Sequence, residues 1–223
     1  MIASNIIEVL NQKIAEKHLL KHPFYVAWSE GRLPLETLRH YSQQYFAHVR
    51  AFPAYLSEAH SRCEDLDARQ VIAANLADEE ATPTTHPQLW LDFAAGLGVS
   101  RESVLAAEPG PRMKQLIETF REVAKMDSTL AMAGLYCYEK QIPDVAAAKI
   151  EGLQKNYGIE DTSTLKYFAV HQEADVEHAR QWEQQILRGD VNLVEAEAVA
   201  DMTLNALWAA LDEVYEFETA ATA

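Results

Sequence analysis

The stretch His171-Gln172-Glu173-Ala174-Asp175-Val176-Glu177-His178 narrows most sharply what this chain can fold into. At about 100° per residue, positions i, i+4 and i+7 of a helix share one stripe, so His171, Asp175 and His178 project from a single face. Glu173 and Glu177 project elsewhere. The stretch sits in a long helical segment, 162–187, opened by Thr162 or Ser163 and followed by a Gly189-Asp190 turn. Two imidazoles and a carboxylate on one face suit a first-row transition metal. The same residues also suit a solvated polar face, because His and Asp are mostly surface residues and the chain is acidic. A metal reading needs further ligands from elsewhere in the chain.

Helical spacing recurs along the whole sequence. The segment 5–20 carries Ile6, Ile7, Leu10, Ile14 and Leu20 at mixed three- and four-residue spacing. His22-Pro23 interrupts it, and a short helix over 24–30 ends near Gly31. Pro34 opens a long helix, 35–63, which Pro53 should bend because it removes an N–H and crowds the preceding turn. The segment 67–81 follows and is broken by Pro83-Thr84-Thr85, and His86-Pro87 starts the next helix, closed by Gly96 and Gly98. Ser100 caps a short turn of helix before the loop Pro109-Gly110-Pro111. Helices over 112–124 and 128–142 follow, the second stopped by Pro143, and Asp144 is placed to cap another that reaches residue 157. A last helix carries Val199, Leu204, Leu207, Trp208, Leu211 and Tyr215. No strand-like alternation or repeat interrupts the series. The spacing therefore predicts an all-α, single-domain bundle of about eight helices over 1–223.

Composition excludes several function classes. With 48% hydrophobic and 24% charged residues the chain has ample material for a core. A net charge of -15, with no compensating basic cluster, repels a phosphate backbone, so nucleic acid is not an expected partner. The first residues lack a basic segment, and the longest nearly apolar run, 130–138, is too short to span a bilayer. No membrane association is expected. Cys63 and Cys137 form no CxxC pair and read as reduced, buried thiols, which predicts a cytoplasmic protein.

Three further residues can complete a metal site. Glu79 and His86 are seven apart, two turns along a helix, although Pro83 distorts the path between them. That spacing favours Glu79 over its neighbour Glu80. Glu139 ends the apolar run that begins at Leu130, and a carboxylate buried there needs a cation, a hydrogen-bonding network or a proton. Glu79, Glu139 and Asp175 with His86, His171 and His178 make six oxygen and nitrogen ligands, a set suited to two iron ions or an iron–manganese pair. The absence of thiolates argues against structural zinc. His18, His22, His40, His48 and His60 have no partners at ligand spacing and read as structural or surface residues.

Taken by residue type alone, Tyr25 is a packing residue and Lys149 a lysine snorkelling at the surface. The setting Val145-Ala146-Ala147-Ala148-Lys149-Ile150 also suits a recessed amine of lowered pKa. Tyr41 and Tyr138, like Tyr45 and Tyr167, can be ordinary core, pocket lining or electron relays.

Several motifs together resemble the haem-oxygenase-like di-metal oxidases, and most closely the CADD group, named for chlamydial proteins associating with death domains. They are His22-Pro23-Phe24-Tyr25, Tyr41-Ser42-Gln43-Gln44-Tyr45-Phe46, Phe52-Pro53 and Asn75-Leu76-Ala77-Asp78-Glu79-Glu80 followed by His86. Tyr138-Glu139-Lys140-Gln141-Ile142-Pro143 and the His171, Asp175, His178 spacing complete the set. The superfamily also holds the TenA and PqqC proteins, and the six-ligand pattern favours its metal-dependent branch. The resemblance implies a haem-oxygenase-like bundle that forms para-aminobenzoate, the folate precursor, using O₂, two metal ions and an external reductant. It further implies that Tyr25 supplies the aromatic ring and Lys149 the nitrogen; Tyr41 and Tyr138 are taken as further candidate catalytic residues. Other readings are a multi-turnover oxygenase acting on an external amine or fatty acid, a PqqC- or TenA-like enzyme, and a metal-free interaction protein. A homodimer is the expected assembly.

Overall fold

Each helical segment expected from the spacing is a helix in the computed structural model, which describes residues 2–221, with side chains from Asn5 to Phe217. In chain order these are α1 (Ile2–Glu16), α2 (Pro23–Ser29), α3 (Leu35–Arg62), α4 (Leu66–Glu80), α5 (His86–Gly96) and α6 (Arg101–Ala106). Then come α7 (Pro111–Ala124), α8 (Ser128–Glu139), α9 (Ile142–Tyr157), α10 (Thr162–Arg188) and α11 (Leu193–Ala221). No strand occurs among the described residues, and no helix there is long and apolar enough to cross a membrane. Helix α10 runs against α9, α8, α5 and α4, while α3 packs on α4, α5 and α7, so these two long helices face the same interior. Helix α3 continues unbroken through the buried Pro53. Both cysteines are buried and free.

One boundary differs from the expectation for reasons of proline chemistry. Pro143 does not stop a helix; it sits in the first turn of α9, where its missing N–H has no intrahelical partner to lose. Asp144 therefore lies inside that first turn, favourably placed in the helix dipole, instead of capping it. Gln141 holds the junction, accepting from Leu19 N–H at 2.8 Å and donating to the Cys137 carbonyl at 2.7 Å. Pro83, in contrast, does break the chain: Glu79 and His86 belong to different helices, joined by residues 81–85, with Thr85 Oγ1 capping α5.

The short helix α2 is pinned at both ends. The His22 ring accepts from Phe24 N–H at 3.1 Å through Nδ1, so Nε2 carries the proton and donates to Asp212 at 3.0 Å. At the other end, Gly152 lets α9 approach Trp28: a Cβ there would lie 2.6 Å from the indole. The Trp28 indole N–H donates to the Lys149 carbonyl at 3.3 Å, which brings Tyr25 on α2 beside Lys149 on α9. His22→Ala removes the cap and is expected to lower stability by about 1–2 kcal/mol, read by denaturant titration. An unchanged midpoint would show that the packing of Trp28 alone holds α2.

Candidate metal centre

On α10, the residues Phe168, His171, Asp175, His178, Trp182 and Ile186 form one buried stripe, while Glu173 and Glu177 are exposed. The solvated-face alternative is thereby excluded. His171, Asp175 and His178 are only 6%, 3% and 5% exposed. Glu79 lies in the last turn of α4, Glu139 ends α8 and His86 begins α5, all three buried. Glu80, the neighbour of Glu79, is exposed.

These six residues divide into two trios. Glu79, His86 and His171 offer ligand atoms within 4.8 Å of one another, and so do Glu139, Asp175 and His178. Glu79 Oε1 lies 2.9 Å from His86 Nδ1 and 3.9 Å from His171 Nε2. His178 Nδ1 lies 3.2 Å from Asp175 Oδ1 and 3.6 Å from Glu139 Oε1. The two imidazoles on α10 are oriented from behind. The His171 Nδ1–H donates to the Tyr167 carbonyl at 2.7 Å, and the His178 Nε2–H donates to Asp78 at 2.9 Å. In each ring the other nitrogen faces the trio, as metal-binding histidines are held. His86 Nδ1 and Asp175 Oδ2 are fully buried without a hydrogen-bond partner. Buried lone pairs converging on a common point in this way are costly unless a cation takes them. The donor set fits two first-row ions.

The electrostatics of the metal-free trios follow from their burial and mutual contacts. Burial raises the pKa of Glu79 and of Asp175, where the like charge of Glu139 also contributes. Burial, followed by the nearby His86, pushes His171 well down, so it is a neutral donor at neutral pH. For His178 burial opposes the charged form, but hydrogen bonds to Asp175 and Glu139 outweigh it and raise the pKa.

A second enclosed space adjoins the trios. Tyr25, Tyr45, Trp90, Tyr138, Lys149, Tyr167, Phe168 and His171 line most of it, and its volume of about 10 Å³ holds roughly one water. Tyr138, Tyr167 and His171 also wall the cavity on the Glu79, Glu139 and Asp175 side, so one layer of side chains separates the two. Lys149 is 5% exposed, which rejects the snorkelling alternative. Its Nζ donates to the Tyr41 hydroxyl at 2.7 Å and lies 5.3 Å from the Tyr25 ring centre and 5.0 Å from that of Phe168. Burial lowers its pKa to about 7. The Tyr25 and Tyr41 hydroxyls are 3.3 Å apart, and the Tyr45 hydroxyl donates to that of Tyr138 at 3.4 Å. Ring contacts run without a gap from Tyr41 to Trp90, Tyr167 and His171, with centres 5.5, 4.9 and 4.1 Å apart.

The reading of the sequence missed three residues. Asn75 Nδ2 donates to Glu139 Oε1 at 2.8 Å, the Trp182 indole N–H donates to Glu139 Oε2, and Asp78 backs His178. Trp182 follows Asp175 by seven residues and His178 by four, and Asn75 precedes Glu79 by four, so helical spacing carried a signal for both. Of the histidines set aside, His22 caps α2 and His48 is buried among aromatic rings, with burial lowering its pKa to about 3.

A family model described as iron-containing redox enzyme matches residues 39–212, a span that holds all six candidate ligands. A 4-aminobenzoate synthase of Chlamydia muridarum is 45% identical over 81% of this chain and 77% of its own. A 4-aminobenzoate synthase of Nitrosomonas europaea is 38% identical over 97% of this chain and 93% of its own. The solved structure of a CADD-like protein from Nostoc punctiforme superposes with a TM-score of 0.81 at 16% identity, covering 98% of this chain and 99% of that one. The structural likeness alone carries only the fold. Identity above a third over most of both chains carries descent as well, and on that ground this chain belongs to the haem-oxygenase-like family of iron-containing redox enzymes.

Proposed function

We propose that this chain forms para-aminobenzoate in an O₂-dependent reaction, taking the ring from its own Tyr25 and the nitrogen from its own Lys149. The observation that carries this reading is the buried Lys149 amine, bonded to Tyr41 and facing the Tyr25 ring one side-chain layer from the ligand trios. The two relatives named 4-aminobenzoate synthase support the product.

The atoms balance. The Tyr25 ring with its Cβ contributes the seven carbons that the product needs. The Cα–Cβ bond breaks and Cβ is oxidised to a carboxylate; at the ring carbon that bore the hydroxyl a C–N bond forms as the C–O bond breaks, the oxygen leaving as water; and the Nζ–Cε bond of Lys149 breaks, with Cε oxidised. O₂ is the oxidant, and an external reductant supplies the remaining electrons. Two bound ions, iron with iron or iron with manganese, would supply the redox chemistry that reduces O₂.

The side chains supply the rest. Burial keeps a large share of Lys149 unprotonated and therefore nucleophilic near neutral pH. The Tyr41 hydroxyl sits between the Lys149 amine and the Tyr25 hydroxyl and orients both. Tyr138, held by Tyr45, stands between the two cavities, and the surrounding rings exclude water. A space for about one water beside Tyr25 favours an internal source of the ring over an external amine or fatty acid. A side chain consumed in this way is not regenerated, so each chain turns over at most once.

Intact-protein mass spectrometry before and after reduction and O₂ exposure, with ring-labelled tyrosine and Nζ-labelled lysine, tests the reading. The expected result is a mass loss localised to Tyr25, with both labels in released para-aminobenzoate. Tyr25→Phe is expected to release none. Wild-type yield from Tyr25→Phe, or more than one product per chain, would overturn self-sacrifice and point to an external substrate.

A further inference from the structure

The two ligand trios are supported unequally. Around Glu139, Asp175 and His178, two of the three ligands are held from outside. Both Glu139 oxygens accept N–H donors, one from Asn75 on α4 and one from Trp182 on α10. The His178 ring is set by Asp78, so Nδ1 faces Asp175 and Glu139. Asp175 and His178 also share one helix, which fixes their separation.

The other trio lacks most of this. Its His171 is set by the Tyr167 carbonyl, but among the described residues no hydrogen bond from outside the trio reaches the His86 ring. Among the described residues, Glu79 accepts no hydrogen bond from outside its own trio. Glu79 and His86 face each other across the connection 81–85, so a loop instead of a helix sets their spacing. The charges differ in the same direction: two carboxylates and one imidazole on the first trio, one carboxylate and two imidazoles on the second.

We infer that Glu139, Asp175 and His178 form the tighter half-site, filled first by a divalent ion, and that Asn75, Trp182 and Asp78 are the positioning residues that make it so. The inference rests on the di-metal reading above. Two carboxylates give a divalent ion more Coulomb attraction than one, and the gain is large where water is excluded. Ligands already held in place lose little freedom on binding, and outer hydrogen-bond partners of metal ligands commonly govern affinity by 10–100-fold. Each Glu139 oxygen that accepts one N–H keeps a second lone pair for the ion. The expected loading is therefore sequential.

The test is a titration of metal-free full-length protein with Mn²⁺, followed by the EPR signal of free Mn²⁺ and by calorimetry. Thermal melts of the metal-free variants check that each is folded. The first ion is expected to bind at least tenfold more tightly than the second. His86→Ala is expected to keep the first ion and lose the second. Trp182→Phe should weaken the first by about 10–100-fold and leave the second unchanged. Asp78→Ala, at an exposed residue whose removal opens no core cavity, should act in the same sense and covers the case of a Trp182 variant that fails to fold. Two sites of equal affinity, or loss of the first ion in His86→Ala, would overturn the order of loading. Unchanged affinity in the outer variants would overturn the positioning role. A folded wild-type protein that binds no Mn²⁺ or Fe²⁺ would instead overturn the di-metal reading itself.

Discussion

Lys149→Met is expected to end para-aminobenzoate formation and, in the same step, to make the protein more stable. The amine titrates near 10.5 in an unfolded chain and, through burial, near about 7 in the fold. Between those values the unfolded chain binds more protons, so this group makes stability rise with pH from about 7 to about 10.5. Below about 7 its full penalty is present. The gap corresponds to roughly 5 kcal/mol at 1.36 kcal/mol per pKa unit. Methionine has similar reach and no charge to desolvate, but it gives up the 2.7 Å bond to Tyr41. The net gain is expected to raise Tm by about 5–10 °C at pH 6 and to vanish towards pH 10. Thermal melts at pH 6, 7 and 9, with product measured by chromatography, check both halves. A lower Tm at pH 6 would show that the amine is a net stabiliser. Undiminished product would show that the nitrogen comes from elsewhere.

The second large effect is on the ligands. His171→Ala removes one of three donors from the Glu79, His86 and His171 trio while leaving the other trio intact. Bound iron is expected to fall from two ions per chain to one, and product to fall at least a thousandfold. The fold should survive. His171 is a neutral, buried ring, and its loss leaves a cavity beside Tyr167 and an unpaired Tyr167 carbonyl. That costs about 2–4 kcal/mol, which a domain of this size withstands. Metal analysis after desalting, with circular dichroism as the control, reads the result. Two ions retained at wild-type affinity would remove this trio from the metal centre.

The path from sequence to site was legible where one helix carried the whole signal. His171, Asp175 and His178 share a stripe of α10 because helical periodicity demands it, and apolar neighbours on that stripe turn it inward. Glu139 was legible because an apolar run leads up to it. Glu79 and His86 came from the right residues by the wrong route: seven-residue spacing suggested one helical face, yet Pro83 ends helical continuity and the connection 81–85 brings them together. Lys149 was ambiguous, since an amine among alanines can snorkel outward or be covered. Its covering is supplied by Tyr25 from α2, Tyr41 from α3, Trp90 from α5 and Phe168 from α10.

The sequence by itself determined the helical class, the inward stripe of α10 and the chemistry of the six candidate ligands, because these depend on interactions within about two turns of chain. Only the tertiary structure decided that the six divide into two trios of three. It also decided that Asn75, Trp182 and Asp78 brace one trio, and that the Lys149 amine lies against the Tyr25 ring. The physical reason is common to all of them. A hydrogen bond or ring contact between helices depends on distances of a few tenths of an ångström across the bundle, set by close packing of the whole core, and no local spacing encodes that.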